Sequence, residues 1–141
     1  MRLLRFSMLI WLVALMGLTL SSCKKDDPKP ETTPAQLLAT GTWRLDAIQS
    51  NGQTTSSGSA IKDRFTLTFR PDGSYTEDQF VNGDTYDGTW MLMNNNTVLH
   101  FTDHKGDDHQ YALRSLTATE LRYNYTNKGN ILEEFVFSAQ P

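Results

Sequence analysis

Arg64-Phe65-Thr66-Leu67-Thr68-Phe69-Arg70-Pro71-Asp72-Gly73-Ser74-Tyr75-Thr76-Glu77-Asp78-Gln79-Phe80 is the stretch that decides the fold. Its first part alternates with a period of two, so Phe65, Leu67 and Phe69 share one face of a strand. Proline fixes one backbone angle and glycine frees another, which makes Pro71-Asp72-Gly73 a tight turn. Ser74 to Phe80 then runs back as the second arm of a hairpin.

The same pattern extends in both directions. Upstream, Thr42 to Ile48 places Trp43, Leu45 and Ala47 on one face. Between these strands, Ser50 to Ala60 is rich in Gly, Ser and Thr and reads as a flexible loop lying over one mouth of the fold. Downstream, Asn82-Gly83 turns into a strand with Tyr86, Gly88, Trp90 and Leu92 on one face, and Asn94-Asn95-Asn96 ends it before Leu99 and Phe101. Lys105-Gly106-Asp107-Asp108 leads to His109 to Leu113. Leu121, Tyr123 and Tyr125 mark the next strand, and Lys128-Gly129-Asn130 turns into Ile131 to Phe137. The chain is therefore expected to be all-β, with eight short antiparallel strands over residues 36–141 closed as an up-and-down barrel that leaves no edge to aggregate. A two-sheet sandwich is the alternative. Ala35 to Ala39 can form one helical turn, and helical periodicity extends nowhere beyond it.

The 141 residues carry 13 Lys and Arg against 16 Asp and Glu, a formal charge of -3. That suits one small domain with a single core. The scattered basic residues form no phosphate-binding face, so nucleic acid is excluded as a partner. The single cysteine, Cys23, excludes an internal disulfide framework and multi-cysteine metal sites.

Residues 1–22 have the layout of a secretory signal, with Arg2 and Arg5 before an apolar run from Met8 to Leu20. That run is too short for a spanning helix, which needs about 20 apolar residues. Leu20-Ser21-Ser22-Cys23 resembles the lipobox of bacterial lipoproteins, which implies cleavage before Cys23 and lipidation of its thiol. A multiply acylated cysteine gives a durable membrane anchor at about 0.8 kcal/mol per buried methylene. Lys24 in place of Asp lacks the inner-membrane retention signal of enterobacterial lipoproteins and points to the outer membrane. Lys24-Lys25-Asp26-Asp27 is similar to the charged tetrad of surface-exported Bacteroidetes lipoproteins. Residues 23–35, with Pro28, Pro30 and Pro34, form an extended tether. Without Arg2 and Arg5, 11 basic residues face 16 acidic ones, a mature formal charge of -5.

Gly41-Thr42-Trp43, its repeat Gly88-Thr89-Trp90, Phe69-Arg70-Pro71-Asp72-Gly73-Ser74-Tyr75 and Tyr111-Ala112-Leu113 together resemble the lipocalin-like domain of small bacterial lipoproteins, over roughly Leu37 to Phe137. The resemblance implies a barrel whose narrow end is closed by Trp43, with Gly41 letting the backbone pass close to the floor. The chain departs from classical lipocalins in lacking the Thr-Asp-Tyr triplet, a cysteine pair and a helix after Phe137, so ligand carriage is carried over from fold alone.

Trp43 and Trp90 are expected to be structural and buried. Tyr75, Tyr86, Tyr111 and Tyr123 fall on inward faces and keep hydroxyls that can orient a ligand at the open end. The many inward rings equally suit a filled interior. His104 and His109 are weak metal candidates, because a four-residue loop would make them cross-strand neighbours. The alternative for that segment is a solvated hairpin end. No catalytic residue and no cofactor motif appears: Glu77-Asp78 and Glu133-Glu134 are adjacent pairs on opposite sheet faces. The function expected is non-enzymatic, that of a monomeric, outer-membrane-anchored domain binding a small, partly apolar ligand. The competing reading is a cell-surface interaction module with a packed, ligand-free barrel, meeting a protein or glycan through its acidic loops.

Overall fold

The computed structural model describes residues 31–141. The signal, Cys23 and all of the tether before residue 31 lie outside the described residues. Thr33 caps a short helix, α1 (Pro34–Leu38), by a reciprocal capping box with Gln36, with Pro34 in the first helical turn. The folded segment thus already includes the last residues of the expected tether.

Nine strands follow: β1 (Thr42–Ser50), β2 (Gln53–Ser57), β3 (Phe65–Phe69), β4 (Ser74–Gln79), β5 (Thr85–Met93), β6 (Val98–Thr102), β7 (Asp108–Leu116), β8 (Glu120–Thr126) and β9 (Leu132–Gln140). Sequential antiparallel pairing from β3 to β9, together with β1 pairing to both β3 and β9, closes an eight-stranded barrel. No helix among the described residues is long and apolar enough to cross a membrane.

The ninth strand corrects the expected loop at Ser50 to Ala60. Asn51 and Gly52 both take positive φ, at 50° and 81°, and the chain folds straight back so that Gln53–Ser57 pairs with Ala47–Ser50. A turn with both central residues left-handed matches the natural twist of a hairpin. β2 therefore continues the wall along the edge of β1 that β3 leaves free. The segment then turns through a 3-10 turn at Gly58–Ala60, and Ile61, 5% exposed, enters the core.

The two ends of the barrel differ. At one end, Trp43 is fully buried and donates its indole N–H to the Leu38 carbonyl at 2.9 Å, so α1 and the indole close the floor together. Trp90 lies deep as well, donating to the Arg70 carbonyl at 3.1 Å and packing edge-on against Phe69 at 5.3 Å between centroids. The glycine that needs a bare backbone is Gly88. A Cβ there would lie 2.4 Å from the Thr102 carbonyl oxygen and 2.6 Å from the Tyr75 ring, whereas a Cβ at Gly41 would meet nothing closer than 3.5 Å. The expected tight approach at Gly41 is thus found instead at Gly88, where Tyr75 lies across the β5 backbone.

The closing seam between β1 and β9 carries a bulge at Asp46. Its carboxylate accepts hydrogen bonds from Arg44 at 2.8 Å, from Arg64 at 2.7 Å and from the Ser138 hydroxyl. Burial alone would raise its pKa, but the hydrogen bonds from Arg44, Ser138 and Arg64 outweigh that and hold it below the ordinary range.

Candidate functional site

The other end of the barrel opens into a cavity of about 510 Å³. That lies within the roughly 300 to 1,000 Å³ typical of small-molecule sites. Strand alternation builds it. Inward positions of β3 and β9 supply Phe65, Leu67 and Phe135, β6 supplies Phe101, and β4, β5, β7 and β8 bring Tyr75, Tyr86, Tyr111 and Tyr123 to the same space. All four tyrosines named from the sequence line it. Residues of the Ser50 to Ala60 segment do not, and the rim is formed instead by the β6–β7 turn with Asp103, His104 and Lys105.

The rings hold one another in place. Phe101 packs edge-on against Tyr75 at 5.1 Å and against Tyr111 at 5.6 Å, and Tyr111 lies 4.8 Å from Tyr123. Such pairs contribute about 0.5 to 1.5 kcal/mol each beyond their area, so the lumen is a preset shape. Its polar tips are a different matter. The hydroxyls of Tyr75, Tyr111 and Tyr123 make no hydrogen bond to any described residue, while Tyr86 reaches only Asp84, at 3.3 Å. None of them is sealed from solvent, so they are open to water or to a ligand in the cavity.

All four hydroxyls keep their protons in neutral water. Burial pushes Tyr75 up to about 12, raises Tyr111 and raises Tyr123 well above the usual phenol range. The neighbouring Asp84 carboxylate raises Tyr86. Each is therefore a donor as well as an acceptor.

Sequence reasoning missed Glu77. It lies two residues beyond Tyr75 on β4, in register between Leu67 and Tyr86, and its carboxylate is part of the cavity wall. Gln79 donates its side-chain amide to it. Burial raises the Glu77 pKa, the Gln79 bond and the His104 ring oppose that rise, and the Asp103 charge adds to it. The alternation that placed Tyr75 inside was signal enough for Glu77 too.

The histidines do not form the expected pair. β6 and β7 pair Thr102 with Asp108 and Phe101 with His109, which leaves residues 103–107 in the turn and moves His104 off the strand. The cause is Asp103, whose carboxylate accepts from the backbone N–H groups of Lys105 at 2.8 Å and Asp107 at 3.0 Å and so widens the turn. Those backbone bonds, led by Asp107, hold its pKa down to about 2. His109 lies 3.2 Å from the other Asp103 oxygen, and His104 stacks on Tyr86 at 4.4 Å. His100 faces outward and meets Asp108. Among the described residues no group of three His, Cys, Asp or Glu is placed to hold a metal ion.

A closed antiparallel up-and-down barrel with one plugged end and a cavity at the other is an architecture whose interior has room for one small molecule. The chain belongs to the family of lipocalin-like domains, which matches it over residues 40–123. No curated protein matches the chain.

Proposed function

We propose that this protein is a lipid-anchored lipocalin-like lipoprotein of the outer membrane that binds a small, partly apolar ligand in its barrel and catalyses no reaction. The observation that carries the binding reading is the cavity of about 510 Å³ lined by four tyrosines, three of whose hydroxyls bond to no described residue and stay open to the lumen. A cavity of that size favours the cup over an interaction module with a packed barrel. The anchor reading rests on Leu20 to Cys23 and on Cys23 being the only cysteine.

The neutral dye N-phenyl-1-naphthylamine tests the cup. Titrated against residues 24–141, which contain the whole barrel, it should bind one to one and saturate, with the blue-shifted emission of an apolar site. Emission that rises without saturating would defeat the reading. The anchor is tested separately, by mass spectrometry of protein from membranes of the native host. A diacylated or triacylated Cys23 as the first residue is expected, and an unmodified thiol or a different N-terminus overturns it.

A further inference from the structure

Two half-buried acids of the barrel wall have no cation within ion-pairing distance among the described residues: Glu133, which accepts from Tyr125 and Asn127, and Glu77, the one of the two that lines the cavity. Asp46 has Arg44 and Arg64, Glu120 and Glu134 share Arg122, and Asp103 has His109, each within ion-pairing distance. Glu77 has no Lys, Arg or His nitrogen within 4.0 Å among the described residues, and its one hydrogen bond comes from a neutral amide. The protein thus holds a carboxylate against an aromatic lumen with no cation in direct contact, the His104 ring at the rim acting on it from beyond ion-pairing distance. A half-buried carboxylate without a cation in contact is a costly arrangement, and a cation brought by a ligand would relieve it.

The surroundings specify that partner. Tyr75, Tyr86, Tyr111 and Tyr123 line the same cavity as the carboxylate, and aromatic faces and hydroxyl oxygens are both attractive to an ammonium group. Phe65, Leu67, Phe101 and Phe135 offer an apolar wall to the rest of the molecule. Asp103, at the mouth, adds a second negative charge. The basic groups that line this cavity all sit at its rim: His109 is paired with Asp103, His104 stacks on Tyr86, and Lys105 lies on the exposed turn, where water screens it.

We propose that the ligand is a small organic cation, an amine carried on an aromatic or apolar body, with the protonated nitrogen on Glu77 and the body against the phenylalanine wall. This rests on the cup reading and adds the chemical class of the occupant. The ammonium donates to a Glu77 carboxylate oxygen and to neighbouring tyrosine oxygens, giving the short, charge-assisted bonds that a neutral isostere cannot make. An anionic ligand of the same shape meets Glu77 and Asp103 and is rejected.

Three indoles of nearly equal size separate these cases. Calorimetric titration of residues 24–141 at neutral pH is made with tryptamine (cation), tryptophol (neutral) and indole-3-acetate (anion). Tryptamine should bind at least about tenfold more tightly than tryptophol, with indole-3-acetate weakest. Glu77→Gln should bring tryptamine down to the tryptophol level and leave tryptophol unchanged. If Glu77→Gln does not fold, the wild-type series decides alone. Equal affinity for tryptamine and tryptophol, preference for indole-3-acetate, or failure to bind any of the three while N-phenyl-1-naphthylamine still binds, overturns the cation proposal and leaves the cup standing. Loss of the dye as well removes the cup itself.

Discussion

A glutamate and a tyrosine that differ by two positions on one strand end up side by side in the lumen, and they answer to pH in a way that can be measured. Burial raises the Glu77 pKa above its ordinary 4.5. A group with a raised folded-state value contributes stability that is complete below its unfolded value and is lost as pH rises through the folded one. The unliganded barrel should therefore lose stability from about pH 4.5 toward neutrality by an amount that Glu77→Gln does not lose, as read by urea denaturation of both proteins across that range. Parallel curves would mean that Glu77 is solvated and the lumen is wet throughout. Asp46 acts in the opposite sense: its pKa is lowered, so its contribution disappears only as pH falls through a value below the ordinary 3.8, outside this window. The tyrosines were legible from the sequence because a ring on an alternating face is read as inward. Glu77 obeyed the same alternation, but charge suggests the outer face, and only the closed barrel shows that it lines the lumen.

The elements divide by how much of their pattern the sequence displays. β1, β3, β5, β6 and β8 alternate apolar with polar side chains, and each was visible with its inward face. β2 reads Gln53-Thr54-Thr55-Ser56-Ser57, polar on both faces, so periodicity was silent there. The usable signal was local, in Asn51-Gly52, the same pair of residues that correctly marked a turn at Asn82-Gly83. The β6–β7 turn failed for a different reason. A change of one residue in loop length moves every side chain beyond it to another neighbour, and the Asp103 side chain that sets the length bonds to backbone atoms no pattern reveals. The two Gly-Thr-Trp elements also differ in what they require. Gly88→Ala should destabilise the barrel by about 1 to 3 kcal/mol, because its Cβ meets a backbone carbonyl that cannot step aside. It should also weaken dye binding by pushing the Tyr75 ring into the lumen. Gly41→Ala, in ordinary contact, should stay within about 0.5 kcal/mol of wild type. Thermal denaturation of the two variants checks the contrast, and a Gly88→Ala protein as stable as Gly41→Ala would show that the β5–β6 pair is looser than described.

For the molecule as a whole, the asymmetry between the ends is the organising fact. One end is closed by Trp43, Leu38 and α1, all with satisfied or apolar surfaces, and the other keeps unpaired hydroxyls and a lone carboxylate. A barrel that only served as scaffold would gain by filling that lumen with two or three larger aliphatic side chains, since burial stabilises and unpaired polar groups do not. The central claim is that a small molecule occupies this end and no other part of the fold. Two-dimensional NMR of residues 24–141 with ring-labelled tyrosine and tryptophan, titrated with N-phenyl-1-naphthylamine, tests it most directly. The expected result is a saturable one-to-one change concentrated on Tyr75, Tyr111 and Tyr123, with the Trp43 indole at the closed end unmoved. Shifts that never saturate, or that spare these three tyrosines and fall on the outer face, would contradict it.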